Sequence, residues 1–137
     1  MQSVSAIMGK VKTRITGFKT VRVTAVQTQE QLLKEIGSIN PDNLPAALVV
    51  YDRFAMSEAS TIRDLQITVV VVDRFRAAAE DKALSAFAAF DALLDLFPPS
   101  GTDLGGAFAL PLDGAAASVD PAFVCLALGL QIRSGGN

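Results

Sequence analysis

The stretch from residue 62 to residue 73 constrains the fold most. In an extended chain Leu65, Ile67, Val69 and Val71 point one way, while Asp64, Gln66 and Thr68 share the other side with Val70 and Val72. Side chains alternate across a strand, so this one starts with a wet face and ends apolar on both. Such a strand belongs in the interior of a sheet with material packed on each side. A chain of 137 residues, 50% hydrophobic and 19% charged, has the composition to build that core. Disordered chains have the opposite balance.

The other elements fall around this strand. Val21, Val23 and Ala25 alternate with Thr20, Arg22 and Thr24, which predicts a half-buried strand from about Phe18. Thr28 with Gln31 forms a capping box, and Leu32, Leu33 and Ile36 give a helical stripe that Gly37 ends. Asn40-Pro41-Asp42-Asn43 reads as a turn, residues 46–52 as an apolar strand and residues 55–60 as a connection. The longest helix is expected over residues 77–97, with Leu84, Phe87, Phe90, Leu94 and Phe97 as its buried face. Asp81, Ser85, Ala88, Asp91, Ala92 and Asp95 cover its opposite side, and Pro98-Pro99 stops it. Residues 100–106 read as loop, Phe108, Leu110 and Leu112 as a short strand, and residues 113–120 as a small, polar loop. The last strand puts Val124, Leu126, Leu128, Leu130 and Ile132 on one face and Cys125, Ala127, Gly129 and Gln131 on the other. Residues 134–137 are expected to be a loose tail. The first 27 residues are ambiguous: Val4, Ile7, Met8, Val11 and Ile15 have helical spacing, while Lys10 to Ile15 also alternate as a strand would. Gly9 weakens a long helix, so a short helix to Gly9 followed by extended chain is expected. The fold class is therefore one α+β domain with a mixed or antiparallel sheet of four to five strands and two main helices.

The chemistry available is narrow. The chain has no histidine, which removes Ser-His-Asp and Cys-His systems and most transition-metal sites. Its one cysteine, Cys125, sits in an apolar strand, where a thiol is packed and inert. Gly105-Gly106 lacks the Lys-Ser or Lys-Thr of a phosphate loop, and Asp113-Gly114 lacks the acidic spacing of a calcium loop. Asp91 and Asp95 at i, i+4 read as the wet side of a helix. No catalytic residue, cofactor or metal is expected. With one cysteine and no apolar run of ~20 residues, the reading is a soluble intracellular protein that does not enter a membrane.

Two features point to contact surfaces. Lys10, Lys12, Arg14, Lys19 and Arg22 all precede the first acid, Glu30, so residues 1–29 carry +5 and the other 108 residues carry −7. This is either a solvated basic face or a patch that meets an acidic surface or a phosphate backbone, with Asp73, Asp81, Asp91 and Asp95 as the acceptors in contacts between copies. The second feature is an echo. Leu48-Val49-Val50-Tyr51-Asp52-Arg53-Phe54 resembles Val69-Val70-Val71-Val72-Asp73-Arg74-Phe75, and each copy ends a strand in Asp-Arg-Phe. It is either shared strand-end chemistry or a pair of matched contact points.

Three further runs carry a family likeness. Leu32-Leu33 leads through Pro45-Ala46-Ala47-Leu48-Val49-Val50 into a strand. The long strand from Leu65 to Val72 runs into Asp73-Arg74-Phe75-Arg76, and a helix with Phe90-Asp91-Ala92-Leu93-Leu94-Asp95 follows. Over residues 28–133 this order resembles the tail terminator, or tail completion, proteins of long-tailed bacteriophages of the Mu-like kind. Those proteins commonly open with a longer helix than the one expected here. The resemblance implies two helices on one sheet face and no catalytic residues. It implies a ring, typically of six copies, that caps the tail tube, joins it to head–tail connector proteins and leaves a lumen through which DNA can pass. Such a protein resides in the host cytoplasm during assembly and then in the virion tail. Under this reading the contacts between copies or to the tube would draw on Lys10, Lys12, Arg14, Lys19, Arg22, Asp52, Arg53, Asp73, Arg74 and Arg76. Two rivals stand beside it: another ring or adaptor protein of a contractile injection machine, and a small ligand-binding or enzymatic domain using Asp52, Asp73 and nearby arginines.

Overall fold

The computed structural model describes residues 3–24, 29–56, 63–74, 84–120 and 123–134. Among these, the elements run α1 (Val4–Arg14), β1 (Thr20–Thr24), α2 (Gln29–Gly37), a 3-10 turn (Pro41–Asn43), β2 (Ala46–Met56), β3 (Arg63–Arg74), α3 (Leu84–Leu96), β4 (Thr102–Asp103), β5 (Ala107–Asp120) and β6 (Phe123–Ser134). The strands form one mixed sheet in the order β1-β2-β3-β6-β5-β4. Only β1 and β2 are parallel; every other neighbouring pair is antiparallel. The fold class is α+β, with six strands rather than four to five.

β3 lies inside the sheet, as its sequence requires. It pairs with β2 from Ala46↔Val72 to Met56↔Arg63 and with β6 from Arg63↔Ser134 to Arg74↔Phe123. Leu65, Ile67, Val69 and Val71 join Leu126, Leu128, Leu130 and Ile132 of β6 in the larger core, under α1 and α3. Val70, Val72 and Cys125 lie on the opposite face in a smaller core with Ile36 of α2 and Ile39 and Leu44 beyond it. The two helices expected from residues 28–37 and 77–97 therefore sit on opposite faces of the sheet. It is α1 that accompanies α3.

α1 runs straight through Gly9. Ile7, Met8, Val11 and Ile15 are buried at helical spacing, whereas Gly9 is exposed with open space around it. A glycine on the wet side costs only about 1 kcal/mol in propensity, less than the four buried side chains return. The expectation of extended chain after Gly9 was wrong for that reason. Ser3 caps the helix by accepting from the Ala6 amide at 3.1 Å. Lys12 and Arg14 in the last turn oppose the negative end of the helix dipole.

α3 is rotated from the expected face. Ala86, Leu93 and Phe97 are buried and Ala89, Phe90 and Leu96 partly so, while Phe87 is 50% exposed and Leu94 38% exposed. The segment is apolar nearly all round, so periodicity alone did not select the stripe. Asp91 and Asp95 are exposed as expected. Asp81, Arg76 and the start of the expected helix lie outside the described residues, as do the Thr28 cap, most of the 55–60 connection and all of the tail but Ser134.

β5 differs most from expectation. It continues through residues 113–120, read above as loop, with irregularities between Pro111 and Gly114 and between Ala117 and Asp120. Residues 100–106 also hold the short strand β4. The local turn signal of Asp113-Gly114 is absorbed as an irregularity in a long hairpin. Ala107 and Ala109 are its buried side chains on the larger core, whereas Phe108, Leu110 and Leu112 are 43%, 40% and 49% exposed.

Candidate functional site

The basic residues of the first 29 positions do not form one patch. Lys10 donates from Nζ to the Gly105 carbonyl in the β4–β5 turn. Arg14 donates from Nε to the Leu96 carbonyl at 3.2 Å, and Thr102 Oγ1 reaches the same carbonyl at 3.4 Å. These contacts occupy a carbonyl that α3 leaves unbonded at its C-terminus, where a cation is also favoured by the helix dipole. Lys12 is exposed on α1, and Lys19 is exposed just before β1. Arg22 lies on the other face of the sheet. It pairs with Glu35 of α2 at 3.3 Å and donates to Ser38 Oγ at 2.7 Å.

The two Asp-Arg repeats also separate. Asp52 falls between the pairs Tyr51↔Ile67 and Arg53↔Gln66, and Asp73 lies one residue past Ala46↔Val72. Because β2 and β3 are antiparallel, about six residues of strand lie between the two acids, or roughly 20 Å at ~3.3 Å per residue. They stand at opposite ends of the hairpin and form no joint site. Asp73 is buried at 2% exposure beside the end of β3, and Arg74 is the last residue of that strand, opposite Phe123. The side chains of Asp52, Arg53 and Arg74 lie outside the described set.

Two open depressions on the α1–α3 side lie among the described residues. One, of about 600 Å³, lies between α1 and the β4–β5 turn and is lined by Lys10, Arg14, Asp103 and Leu104 among others. Lys10 and Arg14 already serve main-chain carbonyls there, and Asp103 accepts from the Gly105 amide at 2.8 Å. The other is an apolar groove of about 470 Å³ between α3 and β5, lined by Phe90, Leu94, Phe97, Pro111, Leu112 and Leu128 with Pro99. On the α2 side of β5, Phe108 and Leu110 border a smaller hollow with Gln131 and Arg133.

The exposed apolar side chains have a definite distribution. Among the described residues the large ones are Val23, Phe87, Leu94, Phe108, Leu110 and Leu112. Phe108, Leu110 and Leu112 belong to β5; Leu94 faces it across the groove; and Phe87 lies two turns before Leu94 on the same side of α3. The sixth, Val23, is on β1 at the other margin of the sheet. Among the described side chains, none belongs to β2, β3 or β6. Sequence reasoning missed this because each of these residues sits in a pattern that also suits burial. The available signal was that Phe108 and Leu110 alternate with Ala107 and Ala109, small residues able to lie close under other elements.

Among the described residues, no three His, Cys, Asp or Glu side chains gather where they could hold a metal ion. No helix there is long and apolar enough to cross a membrane. No protein-family model matches the chain, and no curated protein matches it.

Proposed function

We propose that this chain is a structural assembly protein that caps a phage tail tube as a ring of its own copies, typically six, and helps join tail to head. The observation that carries this reading is the exposed apolar surface of the β5 margin, where Leu94 and Leu112 face each other across a groove on the α3 side while Phe108 and Leu110 are exposed on the α2 side. Exposed large apolar side chains grouped in this way mark protein contact sites. What points to a tail tube as the partner is the resemblance of the residue runs over 28–133 to those of tail terminator proteins. Further partners under this reading are the head–tail connector proteins, and the site of action is the host cytoplasm followed by the virion tail.

A ligand-binding or enzymatic reading would draw on Asp52 and Asp73 together, and the strand register holds them apart. The test is co-expression with the tube protein encoded in the same genome, followed by electron microscopy. Density from this chain at one end of each tube is the expected result. Binding along the whole tube, or none, contradicts the proposal.

A further inference from the structure

We propose that copies of this chain join head to tail, with the β1 edge of one laid antiparallel along the outer edge of β5 in the next. This rests on the assembly reading above and adds which surfaces meet. β4 covers β5 only at Thr102↔Ala109 and Asp103↔Phe108. Among the described residues, the outer edge of β5 over residues 110–120 has no strand partner, and neither has the outer edge of β1. Long uncovered edges with apolar flanks are templates for strand addition.

Direction, chemistry and shape each favour this pairing. β1 runs with β2, β2 against β3, β3 against β6, and β6 against β5. β5 therefore runs opposite to β1, and a second copy in the same orientation presents β1 to it in antiparallel fashion. β5 contains the acids Asp113 and Asp120 and no base. β1 contains no acid; its Arg22 is engaged by Glu35 of the same chain, and exposed Lys19 just before the strand is the base that this edge presents. Joining β5 to β5 would bring its acids together, and β1 to β1 would bring the two Lys19 side chains together, both unfavourable across strands. Unlike edges attract, which makes the contact heterologous, the type that generates rings. Val23 shares the face of Val21, which packs on the larger core. On the continued sheet that is the face of the α3–β5 groove, so the exposed Val23 of one copy meets Leu94 and Leu112 of the next.

The test uses two exposed positions and the full chain in sedimentation equilibrium across concentration. Val23→Glu makes the β1 edge acidic, and Leu112→Lys makes the β5 edge basic. The parent is expected to self-associate, each variant alone to associate at least about tenfold more weakly, and an equimolar mixture to recover the parent's behaviour. Lys19→Glu with Asp113→Lys is a second pair with the same expected pattern, used if a melting curve shows that either first variant fails to fold. A parent that stays monomeric at every concentration overturns the proposal. So does one variant that associates alone as well as the parent, which would reveal an isologous contact through the other edge, or a mixture that shows no recovery. If the parent caps tubes and the charge exchange changes nothing, the edge pairing falls and tail capping stands. If edge-paired oligomers form and never bind tubes, the reverse holds.

Discussion

β3 and β5 are long strands of the same sheet, 12 and 14 residues, separated only by β6. β3 is paired along both edges, and its apolar residues vanish into two cores. β5 is paired along one edge and on the other only by the two residues of β4, buries Ala107 and Ala109, and leaves Phe108, Leu110 and Leu112 in the open. β3 buries Leu, Ile and Val side chains, whereas β5 sets small alanines under its neighbours and leaves its larger Phe and Leu side chains outside. α1 and α3 lie over one face of the sheet and α2 over the other, where it touches β5 as well, yet Phe108, Leu110 and Leu112 at the β5 margin stay partly uncovered. A surface of that kind carries a cost in exposed apolar area, which a second protein would remove.

The largest expected effect contrasts the two strands directly. Ile67→Ala in β3 should cost about 2–5 kcal/mol of stability, because the side chain is fully buried and a cavity remains. Leu110→Ala in β5, at 40% exposure, should cost about 1 kcal/mol or less. Denaturant unfolding of both variants checks this, and equal losses would show that β5 is as enclosed as β3. α3 offers the same contrast: Leu93→Ala should destabilise like Ile67→Ala, and Phe87→Ala like Leu110→Ala.

A second, intermediate effect concerns how the β5 margin is held. Gly101 has φ 96°, and a Cβ built on it would run into the Phe108 ring. Gly101→Ala should therefore cost at least the ~1–2 kcal/mol of a left-handed residue with a side chain, measured by the same unfolding curves. Adding Phe108→Ala should recover the part due to the collision and leave the backbone part. Full recovery would mean that the φ value contributes nothing.

The smallest effect belongs to the β1 margin. Arg22→Ala removes a partly exposed pair with Glu35 and a hydrogen bond to Ser38. A loss of about 1 kcal/mol or less is expected, shrinking as salt is added. A larger loss that salt does not change would indicate that β1 depends on this contact to stay on the sheet.

Much of the centre of this fold is legible in the residues. The alternation of residues 65–72 and of 124–132 places two interior strands and names the faces that bury them. Gly37 ends α2, and Asn40 starts its turn by accepting from the Asp42 amide at 3.0 Å. The margins are not legible in the same way. Ala107 and Phe108 are both apolar, and only the position of Leu104 and the helices decides which one is covered. The span of α1 past Gly9 depends on Ile7, Met8 and Val11 finding a core supplied by distant strands, a tertiary gain that local propensity does not contain. The basic residues were counted together because they are close in sequence; α1 and β1 carry them to different faces of the sheet.

Hydrogen exchange at low and high protein concentration tests most directly whether the two margins meet. Amides of β1 and of residues 110–120 in β5 should gain protection together as concentration rises, while those of β3, already paired on both sides, stay unchanged. Association with no added protection at either margin would contradict the account.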